Sequence, residues 1–178
     1  MSKKNIKSLH QKNNIYMKNI LTHKIILPIL YINDNLTNTL KQILVNEVEG
    51  KCINEGYIKI NSCNVISYSS GILEGSNVRF EILYECLLSN PVEGMIINCK
   101  INNITKAGIR AQIDEEISPM VIFVAKDHHY LTESFNSLEE GNLINVKIIG
   151  QKYELNDKYI SVIAELIEEK VESKDKET

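Results

Sequence analysis

Asp127-His128-His129 is the part of this chain that most resembles a metal-binding set. Its spacing argues against that role. Neighbouring side chains on an extended strand point to opposite sides, so the two histidines would share one ion poorly. No second ligand cluster lies nearby in the sequence. The four cysteines, Cys52, Cys63, Cys86 and Cys99, contain no C-x-x-C pair, which removes the usual zinc-ribbon pattern. Three of them fall in strand-like runs, where free thiols are commonly buried. There is no P-loop, no G-x-S-x-G, no H-E-x-x-H and no pair of carboxylates with converging partners. Glu47 and Glu49, at the end of a helical pattern, read as solvent or partner contacts. The expectation is therefore no catalytic residue, no metal and no cofactor.

The chemistry left is binding. Lys100, Lys106, Arg110, Phe123, Lys126, His128, Lys147 and Lys152 are spread through a run of short strand-like segments. Cations beside an aromatic ring suit a single-stranded nucleic acid, because phosphates pair with the cations and bases stack on the ring. Strand alternation puts Arg110 and Gln112 on one face, opposite Ile109, Ala111 and Ile113. One candidate stacking residue and a few cations predict weak, sequence-tolerant, salt-sensitive RNA binding. The bland alternative places Phe123 in the core and leaves the lysines merely solvated.

The chain has 178 residues, 43% of them hydrophobic, and a formal net charge of −3. That fits one domain or two small ones sharing a contact. Lys3, Lys4, Lys7, Lys12, Lys18 and Lys24 face no acid before residue 25, and Glu165 to Glu177 is mostly acidic. Both ends read as solvated, disordered tails. The apolar run Ile25–Ile32 contains Pro28 and is too short to span a bilayer. It has no small-residue cleavage site, so no secretion signal is expected. A reducing, intracellular compartment follows.

The pattern predicts an α+β fold. Lys24–Ile32 is extended, and Pro28 assigns it to a sheet edge. Leu36, Leu40, Ile43, Leu44 and Val48 recur at spacings of three and four, a helix over 36–48 with one buried stripe. Asp34 or Asn35 would cap it and Gly50 would end it. Strands follow at 56–60, 64–68 and 78–88, with a Ser- and Gly-rich turn at 69–75. After Asn90-Pro91, five short strands crowd about 75 residues: 95–101, broken by Asn102-Asn103, then 109–113, 120–124, 145–150 and 159–164. The longest insertion lies between the third and fourth, the order expected of an OB-fold barrel.

Several runs, taken in order, resemble the stalk subunit of multi-subunit DNA-directed RNA polymerases. That family includes the seventh subunit of eukaryotic RNA polymerase II and its archaeal counterpart. The runs are Leu44 to Cys52 followed by Gly56-Tyr57-Ile58, then Gly71-Ile72-Leu73-Glu74-Gly75-Ser76 before a strand. Pro91-Val92-Glu93-Gly94 and Phe123-Val124-Ala125-Lys126 follow. The similarity covers residues 24–167. The first twenty or so residues have no counterpart in it, and Ile109 stands where the family often has an aromatic.

The charge pattern at the ends and the resemblance between them divide the chain into four segments. Residues 1–23 are a basic, disordered extension. Residues 24–90 form a helix-on-antiparallel-sheet, RNP-like tip module that docks on the polymerase core through Gly71, Ile72, Leu73, Glu74, Gly75 and Ser76. Residues 91–167 are an OB domain of the ribosomal-protein-S-one type, touching nascent RNA in initiation and elongation, and 168–178 are a charged tail. Its partners would be the large polymerase subunits, a small helical fourth-subunit homologue and transcript, with no membrane. The Ile-, Asn- and Lys-rich composition, with Arg79 and Arg110 the only arginines, matches AT-rich codons such as those of a large DNA virus or a parasite. A viral source would place the protein in the host cytoplasm, in viral factories, and packaged in the virion. Two rivals stay open: a free-standing OB-domain RNA-binding protein of translation or RNA decay, and a viral mimic acting on a host polymerase.

Overall fold

The computed structural model describes residues 15–126 and 138–167. Its first half is a mostly antiparallel sheet organised on one long strand, β6 (Asn77–Ser89). The even-numbered residues from Val78 to Leu88 are all buried, the period-two pattern of a strand with one face on a core. β1 (Met17–Pro28) pairs along the full length of β6, from Met17 opposite Leu88 to Pro28 opposite Asn77. It lies at the sheet edge, where Pro28 removes no ladder hydrogen bond. On the other side of β6 lie β3 (Gly56–Ile58), β4 (Asn64–Tyr68) and β5 (Ile72–Glu74), and β2 (Cys52–Ile53) pairs with β3.

Helix α1 (Leu36–Val48) packs on one face of this sheet. Leu40, Leu44 and Val48 join Ile25, Leu27, Val78, Phe80, Ile82 and Tyr84 in one apolar cluster. Asn35 holds the N-cap position, but its side chain does not cap; it accepts from the Asn38 amide instead. The other end is pinned by Glu49. Its carboxylate accepts the backbone N–H groups of Asn61 (2.8 Å), Ser62 (3.1 Å) and Cys63 (2.8 Å). Asn61 is left-handed, φ 58°, which turns these N–H groups toward one anion.

The second half is a closed barrel of five strands: β7 (Ile96–Ile104), β8 (Gly108–Gln112), β9 (Met120–Ala125), β10 (Leu143–Lys152) and β11 (Ile160–Leu166). The order around it is β7-β8-β9-β11-β10, closing on β7, with β9 and β11 parallel. That connectivity is the five-stranded OB arrangement expected from the strand pattern.

The two halves share a seam. The Cys52 N–H donates to the Asp157 carbonyl at 2.7 Å, and the Asn156 N–H donates to the Cys52 carbonyl at 2.8 Å. Ile15, Cys52 and Tyr57 are buried within the barrel's own apolar cluster. The seam lies at the Ser89 end of β6; the β5–β6 turn lies at the opposite end. With 13 residues in β6, the two ends are separated by about 40 Å at ~3.3 Å per residue.

Three expectations change. β1 begins at Met17, so 17–23, read as disordered extension, is ordered strand. Each of its residues is in register with one of β6, and Lys18 and Lys24 form ion pairs with Glu85 and Glu81. Residues 72–74 of the expected turn are the short strand β5. Asn102-Asn103 does not break β7; the register shifts there in a bulge and the strand continues to Ile104. Asp127 to Ser137 and the tail 168–178 lie outside the described residues.

All four cysteines are free and buried. Burial pushes the thiols of Cys52 and Cys86 up to about 11 and that of Cys99 up to about 12, and it raises Cys63 as well. A thiol held protonated and covered is a poor nucleophile. We therefore expect none of the four to react with a disulfide reagent in the native protein at mildly alkaline pH, and all four to react in denaturant. A fast native phase would contradict this packing. Glu49→Ala strands three backbone donors and is expected to lower unfolding free energy by about 1–3 kcal/mol in a urea titration. An unchanged midpoint would show that the nest around Glu49 contributes nothing.

Candidate functional site

Strand pairing on the barrel gathers part of the expected nucleic-acid set. Arg110 on β8 is directly opposite Phe123 on β9, and Phe123 is opposite Ile163 on β11. All three side chains lie on the outer wall, because Ile109, Ala111, Ile122, Val124 and Val162 fill the interior. Phe123 is 37% exposed, so it is a surface ring and not core. Ile109 is fully buried. Whatever residue stands there faces the barrel interior, so the missing aromatic at 109 costs no stacking platform. The outward position next to Gly108 is Arg110.

Gly108 itself allows no side chain. A Cβ would run into the Val124 carbonyl, and it would lie 3.1 Å from the Phe123 ring. The Phe123 ring thus rests against bare backbone. At the same end of the barrel, the Lys126 N–H donates to the Ala107 carbonyl at 3.0 Å, which brings Lys126 beside the β7–β8 turn that carries Lys106. Lys106, Lys126 and Arg110 have no carboxylate partner among the described residues.

Two other expected contacts are neutralised. Lys100 Nζ is 3.4 Å from Asp114 Oδ1, and Lys147 Nζ is 3.2 Å from Glu165 Oε1. Lys147 also sits on β10 opposite Ile96, away from the β8–β9 wall. Lys152 pairs in register with Ser161 and belongs to the same wall as Phe123, two residues further along β11. His128 lies outside the described residues.

The tip residues form a second surface, far from the barrel. β5 and β6 make a tight hairpin through Gly75, whose φ of 64° a side chain would rarely adopt. Ile72 is 51% and Leu73 68% exposed. Three neighbours were not singled out in the sequence. Just after Pro28, a 3-10 turn (Ile29–Tyr31) folds against the hairpin, and the Ile29 N–H donates to the Ser76 carbonyl at 3.1 Å. Leu30 is 90% exposed, and Ile29 and Tyr31 are also open. The signal for them was an apolar run continuing past a proline that must end its strand. Ile29, Leu30, Tyr31, Ile72 and Leu73 thus gather at one end of the sheet.

The seam holds a cavity of about 450 Å³ lined by Tyr16, Tyr57, Lys59 and Glu115 among others. Lys59 sits 4.2 Å over the Tyr16 ring and 3.5 Å from Glu115, and the Tyr16 hydroxyl donates to Glu115 at 3.3 Å. Burial, then the Glu115 carboxylate, raises the Tyr16 phenol well above its usual range. These groups satisfy one another across the two halves. Among the described residues, no three His, Cys, Asp or Glu side chains converge to hold a metal ion, and no helix is long and apolar enough to cross a membrane.

No protein-family model matches the chain. GSP13 from Bacillus subtilis, a solved structure, aligns with 48% of this chain and 66% of its own at 18% identity, with a TM-score of 0.36. A likeness that slight bears on neither fold nor function. A protein of Acanthamoeba polyphaga mimivirus, provisionally named a DNA-directed RNA polymerase subunit, is 28% identical over 174 residues. The alignment covers 88% of this chain and 84% of the mimivirus protein. Over most of its length, then, this chain is a homologue of a viral protein named as an RNA polymerase subunit.

Proposed function

We propose that the chain is a non-catalytic stalk subunit of a DNA-directed RNA polymerase. In this reading the sheet tip docks on the polymerase core and the barrel is presented to nascent RNA. The observation that carries it is the near-full-length relationship to a viral polymerase subunit. The geometry agrees with it. An apolar tip and a cationic, aromatic barrel wall stand at opposite ends of one molecule. Solvent-exposed aliphatic clusters are unusual on a free monomer. Burying one such side chain contributes roughly 1.5–3 kcal/mol, so docking through Leu30, Ile72 and Leu73 tolerates salt.

The sheet face opposite α1 offers a place for the small helical partner that the stalk resemblance implies. Ile20 and Leu83 are exposed there between the Lys18–Glu85 and Lys24–Glu81 ion pairs, and Ile26, opposite Arg79, is exposed just beyond them. A viral factory in the host cytoplasm is the compartment this reading implies. A free-standing RNA-binding protein of translation or decay would use the same barrel, but it leaves the apolar tip without a purpose.

The test is co-purification from the native source with a tagged chain. Wild type is expected to retain the large polymerase subunits through a high-salt wash. Ile72→Asp with Leu73→Asp is expected to lose them, and Arg110→Glu to keep them. Full retention by the double variant would end the docking assignment. RNA contact is read separately. Removing Lys106, Arg110 and Lys126 together should flatten the slope of log affinity against log salt by about 2, at ~0.7 per single-strand phosphate contact. Removing Lys100 and Lys147 should change the slope little, since each already faces a carboxylate.

A further inference from the structure

The barrel wall continues past Phe123 toward the seam, and it carries a second exposed ring. Ile160 is fully buried, so Tyr159, just before it, faces out, and it is 44% exposed. The register places Phe123 beside Ile163, Val121 beside Ser161, and Ser161 beside Lys152. Tyr159, in the bend just before β11, is four residues from Ile163 in the Phe123 row, at most about 13 Å at ~3.3 Å per residue. That separation suits two different bases of one extended strand. Between the two rings the surface is Ile163, Val121 and Ser161, with Lys152 at its edge. Lys158, next to Tyr159, and Lys152 have no carboxylate partner among the described residues.

The hairpin carrying Tyr159 is held in place before any ligand arrives. Asn156 is left-handed, φ 70°. The Glu154 N–H donates to Asp157 Oδ2 at 2.7 Å, and the Asp157 N–H donates back to the Glu154 carbonyl at 3.1 Å. The Tyr153 hydroxyl donates to the Asn54 carbonyl at 3.1 Å, and the paired hydrogen bonds with Cys52 tie the turn to β2. A ring on such a support loses little freedom on stacking.

We propose that Tyr159 is a second base-stacking platform, with Lys152 contacting the phosphate between it and Phe123. Single-stranded RNA then runs down the wall from the Gly108 end of the barrel to the seam with the sheet. This rests on the RNA-contact reading above and adds to it a path and a length.

The test uses the full chain and a fluorescent uridine octanucleotide, read by anisotropy at low salt. Tyr159→Ala is expected to weaken binding roughly tenfold, within the range for one stacked base, and Phe123→Ala similarly. Tyr159→Phe should bind as wild type, and Tyr159→Leu as weakly as the alanine variant, since leucine keeps apolar bulk without a stacking face. Thermal melts identify any variant that has lost its fold, and the leucine and phenylalanine pair decides the matter if alanine has. If a folded Tyr159→Leu binds like wild type while Phe123→Ala is weak, the second platform is wrong and the RNA reading stands. If wild type does not bind at low salt, both fall.

Discussion

The relation between the two halves of this molecule depends on the junction of β2 with the β10–β11 hairpin. Cys52 exchanges two backbone hydrogen bonds with that hairpin, through its N–H to Asp157 and its carbonyl from Asn156. A five-stranded barrel has two open ends, and here one of them is closed by Ile15, Cys52 and Tyr57, residues that come from the other half of the chain. Tyr57 extends to the face of the sheet away from α1, so the barrel covers that face only at the Ser89 end. Each hydrogen bond contributes about 0.5–1.5 kcal/mol net, and the buried Tyr57 ring adds apolar contact that neither half could make alone. The seam fixes where the barrel wall stands relative to the apolar tip.

That arrangement holds the apolar tip and the cationic barrel wall at opposite ends of β6. The tip exposes the aliphatic side chains of Leu30, Ile72 and Leu73. The barrel wall carries Lys106, Arg110 and Lys126, which have no carboxylate partner among the described residues, next to a ring lying on bare glycine backbone. Between them, the buried thiols, the Lys59–Tyr16–Glu115 set and the Glu49 nest are all internally satisfied.

How much of this could be read from the sequence varied with the range of the interactions. Helix α1 was legible residue for residue because its apolar spacing of three and four is a local property. The inward and outward faces of β8 were legible because alternation is local too. The first seven residues of β1 were not. Lys18, Asn19, Thr22 and His23 look like tail, and only pairing with β6 makes them strand. The seam was invisible, since no local pattern connects Cys52 with Asp157. At the candidate site, residue type identified the cations, but it could not show that Asp114 and Glu165 neutralise Lys100 and Lys147. Nor could it place Tyr159 on the same wall as Phe123. Ile109 was placed on the right face by alternation, opposite Arg110, but only its burial shows that the position lines the barrel interior.

The assignment to a polymerase is tested most directly by cross-linking mass spectrometry on the chain isolated with its partners from its native source. We expect large polymerase subunits to cross-link to the sheet half, at Lys24 and Lys41, and not at Lys106 or Lys152 on the barrel. Cross-links from the sheet half only to ribosomal or RNA-decay proteins, with no polymerase subunit among the partners, would contradict it.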